Sequence, residues 1–282
     1  MTIDFLCPRW GAEQIGWPQF LQQVQEAGYA GIEWFPFGEQ TDHAAVISML
    51  KERSLQWTIV MTVLNAPTDP AAYAIALREQ LTELAALGRD LHPPLFISAQ
   101  TGREYFTAEQ TAACLKVCEE VSDHTGIPIY QETHRNKWSY AAHVVAPVLE
   151  QYPGTLLTLD MSHWFCVSES YLEDQRSAVQ KALMHTRHIH ARVGHIEGPQ
   201  VWDPALEEYS AALEAHLAIW DRFIHLRRQA LHHHARVRST SIPCIRQQVR
   251  QFAAGAMATE PLDEEPAATT VCEQHLTTSL QA

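Results

Sequence analysis

Seven times before residue 231, an apolar run of strand length gives way to a run with helical spacing, and this alternation limits the folds open to the chain. The strand-like runs are IDFLC, GIEWF, QWTIVMTV, LFISA, PIYQE, LLTLD and HIHARV. Each is followed by a helix-period segment, from WPQFLQQVQEAGY after the first to EEYSAALEAHLAIWDRFIHLRRQ after the last. Strands that alternate with helices pair in parallel, because parallel neighbours need a long crossover and a helix supplies it. Punctuation agrees with this parse. Gly28, Gly88 and Gly126 stand where helices should stop, and Thr107 with Gln110 three residues on has the form of a capping box.

Two architectures use such a pattern. At 282 residues the chain is close to the roughly 250 typical of one eight-stranded α/β barrel. A doubly wound open sheet is the other solution, but the first strand-turn-helix lacks the GxGxxG phosphate loop that a dinucleotide fold shows. The expected fold is therefore α/β, a (β/α)8 TIM barrel with an incomplete or irregular eighth unit. The qualification comes from the tail, where no strand of four to eight apolar residues precedes a long amphipathic helix. All eight Trp and all eight Tyr also lie before it, which supports a boundary. The expected organisation is a barrel over 1–230 and a divergent C-terminal segment over 231–282, partly disordered. A changed reading frame or truncation is one origin for that segment; the other is a genuine ending in which STSIPC serves as a short eighth strand.

Composition excludes some functions. With 46% hydrophobic and 19% charged residues the chain can bury a core, and its formal charge of −13 repels a nucleic-acid backbone. No window approaches the roughly 18 apolar residues of a membrane span, and no cationic, apolar leader opens the chain. The expectation is a cytoplasmic protein with neither nucleic-acid nor membrane partners. Six dispersed cysteines form no CxxC pair, and Cys114 with Cys118 on one helix face reads as plain burial.

Alternation of side chains along a strand places His188, His190 and Arg192 on one face, with Ile189, Ala191 and Val193 on the other. The apolar set suits the helix-facing outside, which leaves two imidazoles and a guanidinium inside the barrel, costly unless they bind something. The same parity groups Tyr130, Glu132 and His134 in PIYQETH, and Asp160 with Leu156 and Thr158 in LLTLD. Barrel sites gather at the C-terminal ends of the strands, so Glu132, Asp160 and His190 from consecutive units can converge on one ion. Two carboxylates and an imidazole suit one divalent metal, Mn, Co, Mg or Zn, without selecting among them. His163, three residues beyond Asp160 in a loop over the site, is a candidate for substrate or a metal-bound water. Glu33, at the end of the second strand, either contacts substrate or closes a structural ion pair. Trp34, Trp164 and Phe165 read as core or lid.

The order GIE, ETH, LDxSHW and HxHxR at successive strand ends resembles the xylose isomerase-like barrel superfamily, and HIHARVGHIEGPQV is similar to its sugar phosphate isomerase/epimerase subgroup. The resemblance covers roughly residues 1 to 230. It implies a metal-dependent isomerase or epimerase acting on a sugar or sugar phosphate by proton transfer through an enediolate. It further implies Glu132, Asp160 and His190 as metal ligands, Glu132 as the catalytic carboxylate, and His163 and Arg192 as contacts to substrate oxygens. His188, Glu33 and His134 complete the expected substrate-binding set, and a homodimer is a possible assembly. Members take a fourth ligand, a second Glu, from the eighth strand, where this sequence has ARVRSTSIPC. The alternative expectation is a non-catalytic sugar-binding barrel that keeps the pocket.

Overall fold

The structure, a computed structural model, describes residues 3 to 233 together with Ile242 and Pro243. Seven strands, β2 (Leu6–Pro8), β3 (Gly31–Trp34), β4 (Gln56–Thr62), β5 (Ile97–Gln100), β6 (Ile129–Glu132), β7 (Leu157–Leu159) and β8 (Thr186–Ile189), form one sheet in chain order, every pairing parallel. Helices α1 (Trp17–Glu26), α2 (His43–Glu52), α3 (Pro70–Ala86), α4 (Ala108–Thr125), α5 (Ala142–Gln151), α6 (Met161–Ser168), α7 (Arg176–His185) and α8 (Ser210–His233) make the crossovers and the outer layer. Ahead of β2, the two-residue β1 (Ile3–Asp4) pairs in parallel with β9 (Ile242–Pro243), and β9 also lies beside β8. The chain thus returns where an eighth strand belongs, with β9 inside the STSIPC segment. The expectation of an irregular eighth unit is met in this form. The remainder of the expected tail, 234–241 and 244–282, lies outside the described residues, and with it any fourth ligand on that segment.

Local chemistry explains the element ends. Gly28, Gly88 and Gly126 all have positive φ, the left-handed conformation that ends a helix at little cost in glycine. Thr107 and Gln110 form the reciprocal capping box at the start of α4. Asp42 and Asp69 cap α2 and α3 in the same way, each accepting from a backbone N–H three residues on. Gly31 admits the close approach of β3 to β4: a Cβ there would lie 2.0 Å from the Gln56 carbonyl oxygen.

Two apolar clusters fill the space between sheet and helices. One centres on Trp34, Trp57, Ile59 and Leu77, and takes in the buried Cys114 and Cys118. The other centres on Leu157, Leu159, Trp164, Phe165 and Trp220 and contains Ile189, Ala191 and Val193, the outward-facing set expected from strand parity. Trp164 and Phe165 are core residues, while Trp34 is both core and cavity wall.

One departure from the sequence reading bears on the site. The segment after LLTLD is not a loop but α6, because Asp160 follows β7 directly and caps the helix by accepting from the Ser162 N–H at 3.0 Å. His163 therefore sits in the first turn of a helix, 1% exposed, and its direction is fixed by backbone hydrogen bonds. The extended segment after β8 is pinned from below by His216 of α8, whose Nε2 lies 3.0 Å from the Gly194 amide that donates to it. Burial pushes the His216 imidazole down to about 4. The unfolded chain therefore binds a proton that the folded chain refuses between about 6.5 and about 4, and stability falls as pH drops through that window. Thermal melts from pH 7.5 to 5 should show this decline. His216→Gln should melt lower at neutral pH but with a flatter pH dependence.

Candidate metal centre and cavity

Three parallel strand ends bring Glu132, Asp160 and His190 together. Parallel pairing sets β6, β7 and β8 side by side, and each chain leaves the sheet at the same end, so the side chains at the strand ends face one space. One donor atom from each of the three lies within 4.8 Å of the other two, and all three residues are buried. A crossed pair of bonds locks the ends together: Thr133 Oγ1 donates to the Asp160 carbonyl at 2.9 Å and accepts from the Asp160 N–H at 2.7 Å. The cluster opens into a cavity of about 370 Å³, whose other wall is apolar, with Trp10, Trp34, Phe35, Val60 and Met61.

The donor set has the protonation and support that a cation needs. His190 Nε2 is 2.9 Å from Glu33 Oε2, while Nδ1 faces Glu132 Oε1 at 3.5 Å. An imidazole that gives its Nε2 proton to a carboxylate presents Nδ1 as a ligand, the usual arrangement behind a metal-bound histidine. Glu33 is held in turn by His188 Nε2 at 3.2 Å. The Glu33 carboxylate only accepts, which puts the His188 proton on Nε2; among the described residues His188 Nδ1 has no partner. Gln100 Nε2 lies 3.1 Å from both oxygens of Glu132, and Ser98 Oγ is 3.4 Å from Oε2. Asp160 accepts from Arg192 Nη2 at 2.7 Å through Oδ2 and from Ser162 through Oδ1.

Burial alone would raise all three carboxyls, but their neighbours outweigh it. His190 and His188 hold Glu33 well below the usual carboxylate range. Arg192 and His190 do the same for Asp160, and Glu132 is lowered chiefly by His190. His190 itself is pushed down by burial but carried well above 6.5 by Glu33 and Glu132. A divalent cation would replace that imidazolium proton as counter-charge, so the residues present fit a metal. His163 goes the other way: burial pushes it down to about 3, and it is a neutral imidazole at physiological pH.

The expected site residues divide by position. Glu132, Asp160 and His190 converge, and with Glu33, His134, His163 and Arg192 they line the cavity. His188 does not line it. This residue, expected beside substrate, lies one layer deeper, among Glu33, His190 and the ring of Phe96, because two residues along a strand is one layer down the barrel. Glu33 does close a polar contact, with two histidines.

Sequence reasoning missed Gln100, Ser162, Arg135 and Lys137. Gln100 was legible in principle as the residue directly after the LFISA run, since strand ends face the site. Arg135 and Lys137 sit in the loop after β6 and carried no periodic signal. Lys137 is 6% exposed and donates from Nζ to Thr62 Oγ1 at 2.8 Å, and burial pushes its ammonium down to about 8.

No family model and no curated protein matches the chain. Solved structures do. The probable 3-DHS dehydratase AsbF, involved in petrobactin synthesis in Bacillus anthracis, is 16% identical, with a TM-score of 0.58 over 91% of this chain and 98% of its own. An L-ribulose 3-epimerase is 17% identical, with a TM-score of 0.52 over 84% and 100%. A xylose isomerase-like TIM-barrel protein from Mycobacterium smegmatis, in complex with magnesium, is 12% identical, with a TM-score of 0.56 over 91% and 95%. At these identities the likeness is one of architecture: the fold this chain shares with them is the TIM barrel.

Proposed function

We propose that the protein is a metal-dependent isomerase or epimerase that moves a proton between adjacent carbons of an α-hydroxycarbonyl sugar or sugar phosphate. The observation that carries this reading is the convergence of Glu132, Asp160 and His190, buried, at the open end of three consecutive parallel strands. Those three residues would hold one divalent ion, of Mn, Co, Mg or Zn. Such an ion supplies positive charge next to substrate oxygens as negative charge develops on them.

The chain's own residues divide the remaining work. Glu132 is the carboxylate placed to take the proton from the carbon beside the carbonyl, and Gln100 holds it by contacting both of its oxygens. Returning that proton to the neighbouring carbon on the same face, while the hydroxyl proton passes from O2 to O1, interconverts aldose and ketose with Glu132 as the one base acting on carbon. Epimerisation needs a second proton carrier on the opposite face. Arg192 reaches the cavity with two hydrogen-bonded ends, at Asp160 and Ser162, and offers its remaining donors to substrate oxygens. The apolar wall of Trp34 and Phe35 suits the C–H face of a sugar and keeps water from the reacting carbons.

Glu33 and His188 act through His190 rather than on substrate. Removing the carboxylate behind a ligating imidazole costs about 10- to 100-fold in metal affinity. Glu33→Gln should therefore weaken binding by about that factor in a chelator competition, without abolishing it.

Asp160→Asn should lower the metal content of the purified protein measured by elemental analysis, and unchanged stoichiometry would count against this ligand set. Exchange of substrate C–H for deuterium in D2O, across a panel of aldoses and ketoses and their phosphates, tests the proton transfer. Glu132→Gln should slow that exchange by at least about 100-fold. Bound metal and bound sugar with no exchange by the native protein would replace the reading with a sugar-binding barrel.

A further inference from the structure

The loop that leaves β6 has the sequence His134-Arg135-Asn136-Lys137; its first residue lines the cavity, and two of the next three are cations. Asn136 takes a φ of 68°, which turns the chain between its neighbours. Lys137 goes inward to Thr62, a cavity residue. Arg135 goes across to α6, where its Nη1 lies 3.1 Å from His163 Nδ1. Among the described residues neither cation has a carboxylate within ion-pair distance, in a chain whose net charge is −13.

The far side of His163 is also taken by a guanidinium, since Arg192 Nη2 approaches Nε2. Guanidinium groups only donate. A neutral imidazole has a single ring nitrogen able to accept, and an imidazolium has none. Whatever the state of His163, at least one of the two guanidiniums points a donor at a nitrogen that cannot receive it. Arg192 has Asp160 and Ser162 as further acceptors; among the described residues Arg135 has only the imidazole. Arg135 is also the exposed member of the pair, and it lies on a turn beside His163, which lines the cavity.

On the reading that this cavity holds the substrate, we infer that Arg135 is a specificity-determining residue that receives an anionic group, a carboxylate or a phosphate, carried by that substrate. Planar, bidentate donation is what a guanidinium provides for either group, and it supplies the acceptor that His163 lacks. The Lys137 ammonium beneath the same loop adds to the positive potential the anion meets. Arg192 keeps its bonds to Asp160 and Ser162, so the anion end and the proton-transfer end of the substrate are held by different groups.

The test compares three trioses that differ in charge: neutral dihydroxyacetone, dihydroxyacetone phosphate and hydroxypyruvate. Each is titrated calorimetrically into the metal-loaded full-length protein at 150 mM salt (~8 Å screening length), where exposed charges beyond the contact distance are screened. At least one anion should bind about tenfold or more tighter than dihydroxyacetone, as charge-assisted hydrogen bonds do, and which one does separates phosphate from carboxylate. Arg135→Gln should remove most of that advantage and leave dihydroxyacetone binding unchanged, while Arg135→Lys should retain part of it. Equal affinity for all three, binding of none, or an advantage that survives in Arg135→Gln overturns the inference. Thermal melting establishes that the variants are folded. Metal content and deuterium exchange are read separately, so a lost anion preference leaves the proton-transfer reading standing, and an inactive but anion-selective protein leaves this one standing.

Discussion

A carboxylate buried between two imidazoles underlies the open end of this barrel. Glu33 Oε2 meets His188 at 3.2 Å and His190 at 2.9 Å, with every participant withdrawn from water. An isolated charge at that depth would be costly, and so would two unpaired imidazoles. Together they satisfy one another and set the tautomer of His190, which turns Nδ1 toward Glu132 and Asp160. Remove Glu33, and the ring loses its orientation as well as its counter-charge. The arrangement joins β3 to β8 through side chains, across a barrel whose backbone pairing does not join those two strands directly.

Much of this was legible before any coordinate. The parallel order of the strands follows from alternation alone, and the inward direction of His188 and His190 follows from the parity of Ile189, Ala191 and Val193 in the outer core. The convergence of Glu132, Asp160 and His190 was legible for the same reason, since the ends of parallel strands face one way. Depth was less accessible. Parity says which face His188 occupies but not which layer, and one layer separates a cavity wall from the support beneath it. Local capping was also hidden in plain letters: Asp160 followed by Ser162 is a helix start, but the reading of Asp160 as a ligand left its backbone role unweighed, and α6 passed as loop. Arg135 and Lys137 lay beyond reach because a turn has no period. Their directions depend on the φ of Asn136 and on what lies across the cavity.

The two walls of the cavity are built from different materials for a physical reason. The side from β2 to β4 contributes Trp10, Trp34, Phe35, Val60 and Met61, with Glu33 as its one carboxylate, while β6, β7 and β8 contribute the other carboxylates and the imidazoles. Charge collected on one side works in the lower polarity that the other side maintains, which strengthens each electrostatic contact. The same architecture is found in solved proteins named as a dehydratase and as an epimerase, as expected where a shared sheet carries different loops.

The pairing of β1 with β9 places Ile3 opposite Ile242, almost the full described length of the chain apart. Closing a loop that long is entropically expensive and yields only a two-residue ladder in return. The seven-stranded sheet, by contrast, is assembled entirely from neighbours in sequence. The order of assembly follows: the sheet zips locally, and the gap between β8 and β1 is the last to be sealed. A barrel built this way has a seam, and whatever the late-arriving strand brings to the open end arrives after Glu132, Asp160 and His190 are already in place.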